Sequence, residues 1–295
     1  MSARRQGEWM PIGELAQRAG VSPDALRAWE RRYGVLRPLR TAGNRRLYSS
    51  ADAVRVRLMC RYIAEGKPAH VAAEMVSAAR LAVQVGAGEQ VADEEVRAAH
   101  AELREALDGF AETAAQRVLE RLFVAHSRVA VIRDVLLPYL RDVGDRWADQ
   151  HLTVAQEHFT SWFLEARFMA MSRGWDRGVG PRALLACPPG ERHVFGLVAF
   201  GIALHELGWR VTYLGAETPL AMVEYTAGRM TPELVVLAAV MPDRLRSNDR
   251  ALRALASRYP CALAGAGAEP ATCADLSARH LAGDPVTAAA EVARD

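Results

Sequence analysis

Apolar and polar positions fall into three successive rhythms along the 295-residue chain. Over residues 11–19, Ile12, Leu15 and Ala16 share one helical face, and Gly20 supplies a left-handed stop. Ser22 then caps, Pro23 opens and Asp24 favours a second helix over 23–33. In it Leu26, Trp29 and Tyr33 form a stripe, and Arg27, Arg31 and Arg32 lie off that stripe. Two short β-like pieces around the turn Thr41-Ala42-Gly43-Asn44 predict a wing carrying Arg37, Arg40, Arg45 and Arg46. Ser50 is expected to cap a helix from Ala51 to about Glu65, and Gly66 to Pro68 turn the chain into one more. Residues 1–80 therefore predict an all-α helix-turn-helix head with a wing.

A linker is expected at 81–92, where Gly86-Ala87-Gly88 interrupts the pattern. Four helical runs then fill 93–176 and predict a four-helix bundle. Thr153 and Gln156 have the spacing of a capping box, so one helix ends near Gln150 and the next begins at Thr153. The resulting hairpin brings Trp147 and the pair Glu157-His158 toward one patch. From 180 to 295, five short apolar runs alternate with helical patterns: RALLAC, RVTYLGA, ELVVLAAV, CALAGAGA and a weak HLAGDPV. This predicts an α/β doubly wound parallel sheet, which takes ligands beyond the carboxyl ends of its strands.

Net charge, +2 overall, becomes informative when divided. Residues 1–80 hold 15 basic against 7 acidic side chains, the remainder 22 against 28. Such a basic head on a near-neutral body points to nucleic acid as partner. The four cysteines, Cys60, Cys187, Cys261 and Cys273, are spread out with no Cys-x-x-Cys pair, a pattern that suggests neither a zinc site nor a disulfide framework and fits a reducing cytoplasm. No signal-peptide core and no run of 18 uncharged apolar residues is present, so neither secretion nor a membrane partner is expected. The first predicted strand does not lead into a G-x-G-x-x-G, which disfavours a dinucleotide site. It leads into Pro188-Pro189-Gly190 and then Glu191-x-His193-x-x-Gly196.

The stretch IGELAQRAGVSPDALRAWERRYGVLRPLRTAGNRRLYS resembles the winged helix-turn-helix of the MerR family of transcription regulators. The resemblance implies a dimer on a pseudo-palindromic promoter, with Arg27, Arg31 and Arg32 near the major groove and Arg45, Arg46 and Tyr48 on the backbone. Trp147, nine intervening residues and then Glu157-His158 is similar to the bundle motif of the CarH and LitR group of cobalamin-dependent MerR-type regulators, where it covers the upper face of the cofactor. The Glu191/His193/Gly196 spacing resembles the signature of a Rossmann-like cobalamin domain. It implies His193 as lower axial cobalt ligand, Glu191 orienting the ring, and Gly196 admitting the corrin. Val240 stands where relatives often have a Ser toward the nucleotide tail, and Gly265 and Gly267 stand where they have a Gly pair. Light-sensing members carry a His directly after the Trp; here that position is Ala148.

Taken together, these resemblances imply a repressor, not an enzyme. Adenosylcobalamin or methylcobalamin would control its assembly as homodimer or homotetramer, with a response to light in the light-sensing members. Two alternatives stay open: a methyl-carrier module of similar build, and a MerR-type regulator whose C-terminal domain senses a different ligand. On its own, an E-x-H-x-x-G is most often a helix start with an incidental histidine. The strand before it and the bundle before that reverse this reading.

Overall fold

The computed structural model describes residues 9–36, 38–40, 45–76, 89–177 and 180–294. Arg37, the wing turn Thr41 to Asn44 and most of the expected linker, including Gly86 to Gly88, lie outside them. In the head, α1 (Ile12–Ala19) stops at Gly20 with φ 65°, and α2 (Pro23–Tyr33) starts from Ser22, whose hydroxyl accepts the Ala25 N–H. The strands β1 (Leu39–Arg40) and β2 (Arg46–Leu47) pair antiparallel. Helix α3 (Ser50–Ala64) begins one residue earlier than the sequence predicts. Ser49, not Ser50, accepts the Asp52 N–H, and the Asp52 carboxylate takes the Ser49 N–H in return. Asp52 can close such a box only with the residue three before it. A further helix, α4, covers 69–76. The head has its own core, built around Leu15, Leu26, Tyr48, Val56 and Met59.

The bundle comprises α5 (Asp93–Asp108), α6 (Glu112–Ala125), a long third helix and α9 (Val154–Met171). The third runs unbroken from α7 (Arg128–Ala130) through a π-helical stretch, Val131–Leu136, into α8 (Leu137–Ala148). Gln150, with φ 60°, turns the chain, and the Thr153–Gln156 capping box opens α9.

Beyond the bundle lie five parallel strands: β3 (Arg182–Ala186), β4 (Arg210–Tyr213), β5 (Leu234–Ala238), β6 (Cys261–Ala264) and β7 (Arg279–Leu281), in the order β4-β3-β5-β6-β7. The chain leaves β3 toward one neighbour and later returns on its other side. The carboxyl end of β3 is therefore the topological switch point. Helix α10 (Phe195–Glu206) is apolar on every face and buried from Leu197 to Leu204. It lies between sheet and bundle, meeting α9 through Phe168 and Phe195, whose rings are 5.4 Å apart edge to face. One apolar core consequently spans the bundle and this face of the sheet. The opposite face packs under α11 (Leu220–Met230), α12 (Pro242–Arg246), α13 (Asp249–Ala256) and α14 (Pro270–Asp275), whereas α15 (Pro285–Val292) joins α10.

Candidate functional site

At the switch point the loops after four strands are knitted into one shelf. The Cys187 N–H donates to Gly215 O at 3.0 Å and the Thr218 N–H to Cys187 O at 2.9 Å, joining the loop after β3 to that after β4. Gly190, with φ 79°, completes a turn in which the Glu191 N–H reaches Pro188 O. The turn drives the Glu191 side chain inward, where it is 1% exposed. One carboxylate oxygen accepts the His193 N–H at 2.8 Å and faces His193 Nδ1 at 2.6 Å; the other accepts the N–H of Val240 at 2.8 Å and of Met241 at 3.3 Å. Burial pushes the Glu191 pKa up, but the His193 N–H, its imidazole and the two further N–H groups outweigh that and hold the carboxyl below its ordinary range. A carboxylate can only accept, so Nδ1 donates and the Nε2 lone pair is left free. The His193 side chain is 64% exposed and stands above the shelf.

The glycines divide into two kinds. A Cβ on Gly265 would lie 2.4 Å from Ala239 O, and one on Gly267 2.8 Å from Met241 C, so both let the loop after β6 close on the loop after β5. The Gly267 N–H completes that closure by donating to Ala239 O at 2.9 Å. Gly196 is different. A Cβ there would meet nothing nearer than Pro285 Cγ at 3.8 Å, so the protein's own packing does not require a glycine. Val240 is exposed beside these loops. The basic side chain of Arg244, which sequence reasoning passed over, lies against Gly190: an added Cβ would stand 2.8 Å from its guanidinium. A separate cleft of about 610 Å³, lined in part by Trp209, Glu233, Tyr259 and Arg279, opens at the opposite, amino-terminal edge of the sheet.

Of the bundle residues, Trp147 lies in the last turn of α8 and is 45% exposed, and His158 lies in the second turn of α9 with its side chain 74% exposed. Glu157 accepts from the Ser161 hydroxyl at 2.7 Å and has His158 Nε2 at 3.6 Å. Helix α9 touches α10 at Phe168, and His158 is ten residues back along it, about 15 Å at 1.5 Å per residue.

In the head, Arg27, Arg31 and Arg32 are carried by α2; Arg31 and Arg32 are exposed, and Arg27 pairs with Asp24 at 2.8 Å. Arg45 is exposed, and Arg46 is 3.1 Å from Glu30. Tyr48 corrects the expectation of a backbone contact. It is fully buried, its hydroxyl donates to Glu30 at 2.7 Å, and its backbone bridges Met10. Its ring holds the end of the wing onto the core, and no face of it is left for DNA.

His193 offers one imidazole nitrogen, backed by a carboxylate. Among the described residues, no group of three or more His, Cys, Asp or Glu side chains gathers to hold a metal ion. A single imidazole suits a metal that arrives with its other ligands, as cobalt does in a corrin, and Gly196 leaves room beside it. Basic winged helix-turn-helix, helical bundle and carboxylate-backed histidine at a switch point together define a cobalamin-binding transcription regulator. Comparison with known proteins agrees. Residues 10–79 match the MerR HTH family regulatory protein model, and residues 99–171 match the B12 binding domain model. The chain is 37% identical over 266 residues to the HTH-type transcriptional repressor CarA of Myxococcus xanthus, covering 87% of this chain and 86% of that protein. To the repressor CarH of the same organism it is 30% identical over 284 residues, covering 92% and 95%. The chain belongs to the CarA and CarH family of MerR-type, cobalamin-dependent regulators. In structure it resembles the monomethylamine corrinoid protein of Methanosarcina barkeri, with a TM-score of 0.54 at 17% identity over 65% of this chain and 95% of that one, which is a likeness of fold.

Proposed function

We propose that this chain is a transcriptional repressor in which His193 would hold the cobalt of a bound cobalamin, while Trp147, Glu157 and His158 would cover the cofactor's other face. The observation that carries this reading is the Glu191–His193 contact at 2.6 Å on a shelf that leaves Nε2 outward. Glu191 fixes the tautomer and raises the basicity of the ring. Gly196 leaves space for the corrin, and Val240, Gly265 and Gly267 line the path of the nucleotide tail. Arg27, Arg31 and Arg32 approach the major groove and Arg45 and Arg46 the phosphates, with Tyr48 supporting the wing from inside. When bound, adenosylcobalamin or methylcobalamin would supply a cobalt–carbon bond as the light-labile group. Ala148 offers no imidazole after Trp147, so this reading includes no bis-histidine state formed at that position.

The chain works in the cytoplasm as a homodimer or homotetramer on promoter DNA, without catalytic turnover. Cobalamin can shift that assembly only by binding one form more tightly than another. The test is to add methyl-, adenosyl- and hydroxocobalamin in the dark to the pure full-length protein. Visible spectra, gel filtration and binding to the promoter duplex of its own gene are then recorded. Retained colour together with altered assembly and DNA binding is expected. Retention of none of the three would overturn the cobalamin site, and turnover of a methyl donor would favour a carrier.

A further inference from the structure

The head is not merely tethered to the body. Helix α3 lays Arg57 and Arg61, one turn apart, against the amino-terminal edge of the sheet, opposite the His193 shelf. Arg61 is 9% exposed; its guanidinium donates to His205 O at 3.1 Å and to the Tyr62 hydroxyl at 3.1 Å. The stem of Arg57 fills a notch made by two glycines. An added Cβ on Gly208 would be 3.5 Å from Arg57 Cβ, and one on Gly180 3.4 Å from Arg57 Cδ. Desolvation pulls the Arg57 pKa down to about 10, and Glu233 of the body is the carboxylate whose charge opposes this.

This contact differs from the apolar cores on either side of it. The Nε atoms of Arg57 and Arg61 and Nε1 of Trp209 are buried without a hydrogen-bond partner. Buried guanidinium groups with unfilled donors are costly, and apolar side chains of similar volume would hold two surfaces together at least as well. Charged, incompletely satisfied groups suit a contact that has to open. Its place in the fold is equally specific. Helix α10 starts two residues after His193 and carries His205 one residue before its end. It is buried on all sides, and its twelve residues span about 18 Å.

We propose that Arg57 and Arg61 form a releasable dock for the DNA-binding head, and that α10 is the rod linking this dock to the His193 loop, so that cofactor binding biases the head's position. The coupling rests on the cobalamin reading; the dock does not. Hydrogen exchange on the full-length protein tests both. In cofactor-free protein, Arg61→Met removes the bond to His205 O, and Glu233→Gln removes the facing charge while keeping an oxygen for the Arg182 N–H and leaving the head's sequence untouched. Exchange at 205–209 and in α3 should rise about tenfold in Arg61→Met, as for the loss of one charged hydrogen bond, and by less in Glu233→Gln, with β3 and β5 unchanged. Unchanged exchange in both variants overturns the dock. Methylcobalamin should alter exchange at 205–209 in the parent protein, and Arg61→Met should abolish that response. Bound colour without such a response overturns the coupling. Absence of bound colour overturns the cobalamin reading and the coupling with it, while the dock stands or falls on the cofactor-free arms.

Discussion

Glu191 is 1% exposed and fills both carboxylate oxygens with donors from two loops, whereas the His158 side chain is 74% exposed and has Glu157 at 3.6 Å. The His193 side of the proposed cofactor site is thus held by the protein's own hydrogen bonds, and the bundle side offers Trp147 and His158 largely exposed. Buried polar groups must be satisfied within the fold, which makes the His193 side part of its stability. Exposed Trp147 and His158 contribute little to the fold and keep their surfaces for a partner. Such an asymmetry suits a sensor: one side fixes the ligand, and the other side can change when the ligand does.

The sharpest way to break this contrast is Glu191→Ala. It removes the one carboxylate that accepts from the N–H groups of Val240, Met241 and His193, so a loss of about 3 kcal/mol is expected in chemical denaturation of the cofactor-free protein. A loss below about 1 kcal/mol would remove Glu191 from the structural role given to it. Acid titration addresses the same group. Its folded pKa is depressed, so its contribution is present above the ordinary glutamate pKa and is lost as pH falls through the folded value. Glu191→Gln should flatten this part of the stability curve below about pH 4.3, and an unaltered curve would assign the acid sensitivity elsewhere. On the bundle side, Trp147→Ala should cost under about 1 kcal/mol in stability. The same variant should weaken methylcobalamin binding about tenfold by equilibrium dialysis, whereas unchanged binding would move the cap to other residues. The smallest effect is expected for Val240→Ser, within about 0.5 kcal/mol in stability. It should slow cobalamin loss during dialysis, and faster loss would place the nucleotide tail away from this residue.

Much of the architecture was legible because it is written in local spacing. Ser22-Pro23-Asp24, Gly20 and the Thr153/Gln156 box act within one helical turn, and the elements they delimit appear as predicted. The five apolar runs coincide with the five strands, whereas their order, β4-β3-β5-β6-β7, is not written in local spacing. Tertiary relations escaped. Tyr48, in a basic wing, reads as a surface residue until Glu30, 18 positions away, is seen to take its hydroxyl. Val240 was weighed for its missing side-chain hydroxyl, yet its backbone N–H, 49 positions from Glu191, is the group that the structure uses. Gly265 and Gly267 looked like space for a ligand, and in the folded chain they are first space for Ala239 and Met241. The core shared by bundle and sheet was also hidden. An apolar run such as α10 shows that it is buried without showing by what.

Visible spectroscopy of His193→Ala reads most directly whether His193 is the protein's ligand to cobalt. With hydroxocobalamin and methylcobalamin in the dark, the parent protein should give base-off spectra with imidazole on the metal. The variant should give base-on spectra or retain no colour, and should lose about 1.5 kcal/mol of unfolding free energy with the imidazole's bond to the Glu191 carboxylate. A variant that binds both cobalamins with the parent's spectra would contradict the account.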